Sequence, residues 1–474
     1  MADDISDERL LSVLSVANSW WRTGSVQSQF LKSFKRNAYY TATRDFCSNI
    51  RRIVVLSGLR RTGKTTIVYQ MIDDLLSRGI DPHHILFFSY DSVPIRQSGF
   101  ERVFELYRKT ICADDEFYMF VDEIQFETEW ALQLKSSYDM YPGMKALVTG
   151  SASSVPEKKV SESGAGRWSI VKVPTLSFYE YCEMLGIEKS SAVSGLDVFG
   201  FHKLSLQDQT HVILGLSDLS IHMMRYLHVG GFPEFVNESD VLYAHHKLSE
   251  DVIDRVVGID LPMIYGIRSR SALDQLLSYF ARCGSTVLNT SMISSQMGIA
   301  RDTVEHYISY LESGNLVVIC KQMDLSGKKV MKSMDKAYLT DNSIRCALYP
   351  DIDIYTDETE YGYAIETAAF NHVKSYFTLK SEAYNVGYIR GAGGSEVDIA
   401  VQYRGQCSQL IESKMRNHSA VKDTSGIVIY ALEDTPGYVL TKSGTDYGLT
   451  ERDSTSLYRI PATVFLYLTG MKTS

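Results

Sequence analysis

One short segment restricts the fold of this chain more than any other part of its sequence. Residues 58–66 read Gly-Leu-Arg-Arg-Thr-Gly-Lys-Thr-Thr, between an apolar run at 52–56 and a helical pattern at 67–78. A strand, a glycine-rich turn and a helix in this order direct several backbone N–H groups at one point, where a phosphate group binds. The segment therefore predicts a loop that holds the phosphates of a nucleotide.

The positions within this loop have separate predicted roles. Lys64 is expected to reach the β- and γ-phosphates of ATP, and the Thr65 hydroxyl to ligate Mg²⁺. Arg60 and Arg61 are equally suited to local salt bridges. The residues predicted to bind the nucleotide here are Gly58, Leu59, Arg60, Arg61, Thr62, Gly63, Lys64, Thr65 and Thr66.

A second motif supplies acids. The apolar run 117–121 ends in Asp122 and Glu123, and open α/β sheets bind ligands at the carboxyl ends of their strands. Asp122 is expected to hold Mg²⁺, and Glu123 to orient and deprotonate the attacking water. The alternative is an acidic strand end that only caps the next helix. Together with the loop, the motif favours hydrolysis of ATP with Mg²⁺ as cofactor.

Polar residues after a further apolar run, 145–149, are candidates for placing the water. Thr149 and Ser151 both qualify, and the sequence does not choose between them. The loop Gly164-Ala-Gly166-Arg167 offers an arginine that would stabilise the γ-phosphate, or one that is merely structural. If Arg167 acts on a neighbouring chain, a homo-oligomer is required.

The composition restricts the classes of partner, metal site and cellular location that suit this chain. The formal net charge is −9, which argues against non-specific attraction to nucleic acid but not against a local basic groove. The seven cysteines form no CxxC pair and show no zinc spacing, and the histidine pair at 245–246 is expected at a helix end or on the surface. An acidic N-terminus and the lack of long apolar runs predict a cytoplasmic protein without membrane segments.

The C-terminal part contains a hairpin with an informative register. If the turn in Arg404-Gly-Gln centres on residue 405, antiparallel partners sum to 810, so Asp398 faces Glu412 and Glu396 faces Lys414. Alternation places these four side chains on one face. Two acids that hold Mg²⁺ and a lysine beside them suit phosphodiester cleavage, with Glu366 as a third metal ligand. The alternative is a solvated, charged hairpin face.

Residues 270–340 predict helices and strands in the order of a winged helix-turn-helix. Its presumed recognition helix has a core stripe of Val304, Ile308 and Leu311, but its outer face mixes acids with bases. Three wing lysines would suit phosphates: Lys328, Lys329 and Lys332. DNA contact and packing against protein both remain open.

Several further strings give the chain a family resemblance, and they are Val121-Asp-Glu-Ile-Gln125, Thr149-Gly-Ser-Ala-Ser, Gly166-Arg167, Pro174-x-Leu-Ser-Phe-Tyr-Glu-Tyr181 and Gly230-Gly-Phe-Pro-Glu234. Over residues 30–470 the chain resembles prokaryotic AAA-type P-loop ATPases fused to a winged helix and a restriction-endonuclease-like C-terminal domain of uncharacterised function. The Asp398, Glu412 and Lys414 pattern likewise resembles the PD-(D/E)xK nuclease site.

The resemblance implies an α/β fold with a P-loop NTPase parallel sheet, a helical lid, a winged helix-turn-helix and an α/β nuclease-like domain. We expect a helical N-terminal segment at 1–45, an ATPase core at 46–175, the lid at 176–268, the winged helix at 269–342 and the nuclease-like domain at 343–474.

Two hypotheses on function follow. The first is a Mg²⁺-dependent ATPase whose nucleotide state controls a nuclease-like effector acting on nucleic acid, DNA more than RNA, in defence or genome maintenance. The second is an ATP-dependent switch that binds DNA or a protein partner through a catalytically inactive nuclease fold.

Overall fold

The computed structural model describes residues 5–150, 166–187, 189, 193, 196–267, 269–323, 334–380, 383–391, 394–415, 425–431, 435–452 and 455–471. The chain forms two compact units, Met1–Pro174 and Thr175–Ser474.

The first unit contains a five-stranded sheet covered by helices. The strands are parallel, in the order β2-β3-β4-β1-β5, and their residues are almost entirely buried, as expected for a sheet with both faces covered. Its elements are α1 Asp7–Ala17, α2 Trp20–Thr23, α3 Asn37–Cys47, β1 Ile53–Ser57, α4 Lys64–Ser77, β2 Ile85–Ser89, α5 Val93–Thr110, β3 Phe117–Asp122, α6 Trp130–Met140, β4 Met144–Gly150 and β5 Trp168–Lys172.

One strand differs from the sequence-based prediction. Trp168–Lys172 was not predicted as a strand, but it forms β5 and pairs with β1 from Ile53 to Ser57. It is as long as β1 and β2, but Ser169 and Lys172 interrupt its apolar residues, so it lacks the continuous apolar pattern of those strands.

The N-terminal helices belong to the same core as the sheet. Leu10, Leu14 and Trp20 are buried in the hydrophobic cluster that contains the strands. The Asn18 amide accepts from the Phe87 N–H at 2.6 Å and donates to the Phe87 carbonyl at 2.7 Å. Because β2 is the edge strand, this side chain occupies backbone groups that would otherwise pair with another chain.

The second unit begins with helices. The helices are α7 Phe178–Met184, α8 Leu206–Gly215, α9 Ser220–Val229, α10 Val241–Leu248, α11 Leu261–Tyr265, α12 Arg270–Cys283, α13 Thr290–Met297, α14 Arg301–Ser313, α15 Asn342–Leu348, α16 Glu358–Lys380, α17 Gly426–Tyr430 and α18 Ala462–Gly470. Two π-helical segments, Ser249–Ile253 and Val256–Asp260, lie between α10 and α11. That residues 176–268 act as a lid stays a prediction.

An eight-stranded sheet completes this unit. Its strand order is β12-β13-β11-β10-β9-β8-β6-β7. The strands are β6 Val317–Met323, β7 Lys336–Leu339, β8 Tyr384–Arg390, β9 Glu396–Tyr403, β10 Gln406–Lys414, β11 Gly437–Thr441, β12 Gly448–Arg452 and β13 Thr455–Pro461.

The strands predicted for the winged helix do not form a sheet of their own. β6 pairs antiparallel with β7 and also parallel with β8, through Lys321 and Gly387 among others. Gly387 suits this position because a Cβ there would lie 2.3 Å from the Lys321 carbonyl oxygen. The segments predicted as two domains, 269–342 and 343–474, therefore share one sheet.

Within the described ranges, the structure has no helix with the length and apolar character needed to span a membrane.

Candidate functional site

The predicted phosphate site lies at the carboxyl edge of the first sheet. The strand register places Ser57 beside Gly150 and Ser89 beside Asp122. Because all five strands are parallel, their carboxyl ends meet at this edge, where open α/β sheets bind ligands. The loop 58–66 and the acids after β3 are therefore brought together, as the sequence predicts.

Close packing explains the first glycine of the loop. A Cβ on Gly58 would lie 2.2 Å from the Val173 carbonyl oxygen, so no larger residue fits without a shift of the backbone. The last glycine, Gly63, has a φ of 90° and directly precedes α4. These two glycines allow the loop to turn sharply before the N-terminus of α4. In such a turn the N–H groups of the loop face the position of a bound phosphate.

The loop lysine is buried within the loop. The Lys64 ammonium donates to the carbonyl oxygens of Gly58 and Leu59 at 3.1 and 2.8 Å. The Thr62 hydroxyl donates to the Leu59 carbonyl at 2.9 Å and fixes the same turn. The arrangement places a positive charge where the β- and γ-phosphates of a nucleotide are expected.

A group of oxygen atoms suited to Mg²⁺ surrounds Asp122. The Thr65 hydroxyl lies 3.1 Å from both Asp122 oxygens, and the Thr149 hydroxyl donates to one of them at 2.6 Å. Burial and the neighbouring Glu123 raise the pKa of Asp122 to about 6. Since Mg²⁺ prefers oxygen ligands and offsets such negative charge, Thr65 and Asp122 fit the ion they are predicted to hold.

Glu123 follows with an unusual backbone. Its φ of 54° lies in the left-handed region, which costs on the order of 1–3 kcal/mol in a residue with a side chain. Its N–H donates to the Thr149 hydroxyl at 3.1 Å, and Gln125 donates to its carboxylate. Thr149 therefore positions both acids, whereas its predicted contact with the attacking water stays a prediction.

Two neighbours of this site were not identified from the sequence. The Ser89 hydroxyl, at the end of β2, lies 3.4 Å from Asp122. Arg36, buried at the start of α3, donates to the Thr62 carbonyl in the loop. Ser89 could have been identified as a polar residue at the end of the apolar run 85–88. No sequence pattern indicated Arg36, which is a single arginine far from the motif.

The two remaining candidates near the γ-phosphate have different outcomes. Ser151 lies outside the described residues. Arg167 precedes β5 at the amino edge of the sheet, where its carbonyl accepts from Ile53, and its side chain pairs with Asp139 at 3.0 Å. At ~3.3 Å per residue, the advance from Arg167 to Lys172 at the end of β5 separates this arginine from the carboxyl edge by roughly 17 Å. Arg167 therefore does not reach the phosphate site of its own chain, and only a role in a neighbouring chain stays a prediction.

The C-terminal hairpin reaches the predicted register only beyond a β-bulge. Next to the turn Gln406 pairs with Tyr403, so partners sum to 809 and the turn is not centred on residue 405. After the register shift between Cys407 and Gln409, Ile411 pairs with Ile399, which gives the predicted sum of 810. The Ser413 N–H donates to Asp398 at 2.8 Å. Glu412 is buried, accepts from the Ile427 N–H at 3.3 Å and pairs with Lys414.

A lysine that the sequence did not indicate joins this cluster. Lys336, from β7, is buried and lies 2.5 Å from Glu396 and 3.5 Å from Glu366. The Tyr338 hydroxyl donates to Glu366 at 2.8 Å. Burial is the main reason that the pKa of Asp398 lies well above its ordinary value, and the negative charge of Glu366 raises it further. The positive charge of Lys336 lowers this pKa in part. The cluster thus combines acids suited to Mg²⁺ with two lysines that partly neutralise them.

The presumed recognition helix, α14, has the predicted core stripe, since Val304, Ile308 and Leu311 are buried. On its outer face Arg301 pairs with Glu305 at 2.9 Å. The basic charge of this face is therefore partly neutralised. The wing lysines Lys328, Lys329 and Lys332 lie outside the described residues.

Two family models match parts of the chain. Residues 50–182 match a model described as an AAA domain, and residues 221–354 match a model described as a domain of unknown function (DUF8612). The first match covers the phosphate-binding loop, both acids and Thr149.

Similar proteins are known from other microorganisms. An uncharacterized protein of Haemophilus influenzae is 24% identical over 305 residues, which are 62% of this chain and 68% of that protein. The uncharacterized protein MJ1637 of Methanocaldococcus jannaschii is 22% identical over 393 residues, 80% of each chain.

Solved structures give weak overlaps. Thermotoga maritima RuvB has a TM-score of 0.24 at 14% identity and covers 63% of this chain and 93% of its own. The Saccharomyces cerevisiae Hsp104–ADP complex has a TM-score of 0.28 at 16% identity, with coverage of 59% and 50%. These scores are too low to bear on the fold or function of this chain. The AAA-domain match and the geometry of the loop, the acids after β3 and the parallel sheet identify residues 50–182 as an AAA-type P-loop ATPase domain.

Proposed function

We propose that this chain hydrolyses ATP in a Mg²⁺-dependent reaction at the carboxyl edge of its parallel sheet. The observation that carries this proposal is the contact of Thr65 and Thr149 with Asp122, directly beside the buried Lys64. Together these groups supply a cation for the phosphates, oxygen ligands for the metal and an acid beside them.

Each residue of the ATP site has a separate proposed role. Lys64 and the loop N–H groups bind the β- and γ-phosphates, and Thr65 with Asp122 holds Mg²⁺, which neutralises charge that develops during phosphoryl transfer. Glu123 accepts a proton from the attacking water, since it lies next to Asp122 on the same strand end. Gln125 and Thr149 hold Glu123 in place.

Two substitutions separate binding from turnover. Lys64→Ala is expected to abolish measurable ATP binding, whereas Glu123→Gln keeps binding and lowers turnover by about 10²–10⁴-fold, the usual contribution of a positioned base. Lys109→Ala and Glu116→Gln are matched controls, because both residues are exposed in the same unit. Phosphate release at wild-type rate by either test variant would refute this assignment.

We further propose that the nucleotide state controls the second unit, which acts on nucleic acid as a metal-dependent nuclease. The arrangement of Asp398 and Glu412 on neighbouring strands supports this, with Lys414 beside them. Asp398, Glu412 and Glu366 would hold the metal, and Lys414 would position a water or stabilise the pentavalent transition state.

The nuclease proposal is tested with full-length protein, supercoiled DNA and single-stranded RNA, with ATP and either Mg²⁺ or Mn²⁺. Wild type is expected to cleave, and Asp398→Ala or Lys414→Ala to stop cleavage while ATP turnover continues. The exposed residues Asp351 and Lys203 provide the controls Asp351→Ala and Lys203→Ala. Lack of cleavage by wild type across these substrates would remove the nuclease proposal and leave the ATPase proposal intact.

A second candidate is favoured by Lys336. Its ammonium contacts Glu396 and Glu366, so a lysine already supplies the positive charge that a metal ion would bring. In this alternative the chain is an ATP-dependent switch that grips DNA or a protein partner with an inactive nuclease fold. Nucleotide-dependent DNA binding without cleavage, unchanged in Asp398→Ala, would favour the switch; loss of cleavage in that variant would exclude it.

A further inference from the structure

Three helices of the second unit bring together side chains that commonly bind metal ions. His228 lies near the end of α9, His245 in α10 and Cys346 in α15. One ring nitrogen of each histidine and the Cys346 sulfur all lie within 4.8 Å of one another. The three residues are far apart in sequence, which explains why no zinc spacing is visible there. His245 lies in the last turn of α10, one of the two expected positions, and it is buried.

The hydrogen bond of His245 fixes its protonation. Its Nε2 lies 2.8 Å from the His228 carbonyl oxygen. Because a carbonyl only accepts, Nε2 must carry the proton, and Nδ1 is left with a bare lone pair. Among the residues that the structure describes, no group donates to this buried Nδ1. Histidines that bind metals commonly donate their other N–H to a backbone carbonyl in this way.

His228 offers a second buried nitrogen. Its Nδ1 is also shielded from solvent and has no hydrogen-bond partner in the described part of the chain. The centroids of the two imidazole rings lie 5.0 Å apart. The Tyr355 ring contacts His228 edge-on, with the ring centroids 5.3 Å apart. Both histidines therefore present a buried ring nitrogen without a hydrogen-bond partner among the described residues.

Cys346 and its surroundings complete the donor set. Its thiol is buried and forms no disulfide. A divalent ion and one thiolate would leave a net charge of +1. Asp341 interacts electrostatically with His245 and Cys346, and Asp353 does so with His228, whereas Arg345 acts on Cys346 and Arg225 on His228 with the opposite sign. The surroundings therefore carry both charges, and the three donor atoms themselves are what favour a cation.

We propose that His228, His245 and Cys346 bind one Zn²⁺ ion that joins the three helices. Two imidazoles and a thiolate favour Zn²⁺ over Mg²⁺ and Ca²⁺, which select oxygen ligands. Three protein ligands leave one tetrahedral position, which water fills. On binding, the thiol releases its proton to solvent and the sulfur becomes a metal ligand. None of these three residues belongs to the ATP site or to the nuclease-like site.

The decisive probe is Co²⁺, which replaces Zn²⁺ in such sites and makes them visible. Chelator-treated, full-length protein is titrated with CoCl₂ and then with ZnCl₂. Wild type is expected to develop a sulfur-to-metal charge-transfer band and intense tetrahedral d–d bands at one equivalent, and Zn²⁺ to remove them. Ions at the oxygen-rich acidic sites lack the sulfur band. His84, Cys112 and Asp114 form another described group with a cysteine, so loss of the band in Cys346→Ser is needed to assign it to this cluster.

Matched variants locate the signal. Cys346→Ser is expected to lose the sulfur band and to bind Zn²⁺ more than ~10-fold more weakly in competition with a chromophoric chelator. Cys182→Ser serves as the control, because Cys182 is also a buried thiol in a helix of this unit but is not part of the cluster. His245→Gln is expected to weaken binding in the same way.

Wild-type protein also provides a test that needs no substitution. Zn²⁺ that binds only the native state is expected to raise the Tm of the second unit, and this increase should be retained in Cys182→Ser. If wild type takes up Co²⁺ without a sulfur band, or shows no stoichiometric uptake and no increase in Tm, the proposal is wrong.

Discussion

The Arg36 guanidinium donates to the carbonyl oxygen of Thr62 at 2.7 Å, within the phosphate-binding loop. The same nitrogen donates to the Pro174 carbonyl at 2.8 Å. Arg36 is 5% exposed, so this contact between the N-terminal segment and the loop is shielded from water. The N-terminal residues are thus part of the structure that holds the ATP site.

Replacing Arg36 is expected to weaken the site without touching the nucleotide. Arg36→Met leaves the carbonyls of Thr62 and Pro174 buried without this donor, at a cost of about 1–3 kcal/mol for each such group. We expect a lower Tm and several-fold weaker ATP binding, measured by thermal denaturation and calorimetry. Arg44→Met, at an exposed position of the same helix, should change neither; equal effects in both would show that the Arg36 contact is irrelevant.

The protected edge of β2 gives a stability prediction. Asn18→Ala removes the partners of the Phe87 N–H and carbonyl, both buried. The free energy of unfolding of the first unit is expected to fall by on the order of 3 kcal/mol. The measurement is urea denaturation followed by tryptophan fluorescence. The exposed Asn49 supplies the control Asn49→Ala, and a fall of less than ~0.5 kcal/mol in Asn18→Ala would contradict the edge role.

The close approach at Gly58 predicts strict intolerance of a side chain. In Gly58→Ala the new methyl group would meet the Val173 carbonyl oxygen at 2.2 Å, so the loop must move. We expect loss of ATP binding with most of the secondary structure retained, measured by calorimetry and circular dichroism. A Cβ on Gly362, in α16, meets no atom within 4 Å, so Gly362→Ala should bind ATP normally. Normal ATP binding by Gly58→Ala would contradict the loop geometry.

The raised pKa of Asp122 predicts how Mg²⁺ use depends on pH. Burial and Glu123 raise this pKa to about 6, so the carboxyl is protonated below that pH and ionised above it. Since Mg²⁺ binds the ionised form, the gain in ATP affinity from Mg²⁺ should increase as the pH rises through about 6 and then level off. Titrations at pH 5 and pH 7.5 measure this gain. Asp122→Asn should remove the pH dependence, and a wild-type gain that is equal at both pH values would contradict it.

The folded protein also gains stability from the same group at low pH. Its pKa is higher in the folded chain than in the unfolded one, so the folded state holds the proton more tightly. The contribution is fully present below the ordinary carboxyl pKa and is lost as the pH rises through about 6. Protonation of Asp122 in acid therefore weakens Mg²⁺ binding without destabilising the fold.

The features predictable from the sequence are those that depend on local order. The loop at 58–66 and the acids after 117–121 follow apolar strands, so parallel topology alone brings Lys64, Asp122 and Thr149 together. The hairpin that holds Asp398 and Glu412 was also predictable, but its register near these acids depends on a β-bulge between Cys407 and Gln409 that the turn sequence did not indicate.

Features that depend on tertiary packing left no such pattern. Arg36, Lys336 and His228 each reach their partners from distant segments, and β5 mixes polar with apolar residues too much to indicate a strand. The pairing of β6 with β8 could not be predicted either, because pairing between strands far apart in sequence leaves no local signal.

The most direct test of the account is isothermal titration calorimetry of ATP into full-length protein, with and without Mg²⁺. We predict one site per chain, tighter binding with Mg²⁺, and no detectable binding by Lys64→Ala of unchanged fold. Folded wild-type protein that produces no binding heat with ATP or ADP in the presence of Mg²⁺, at several temperatures, would contradict the central claim.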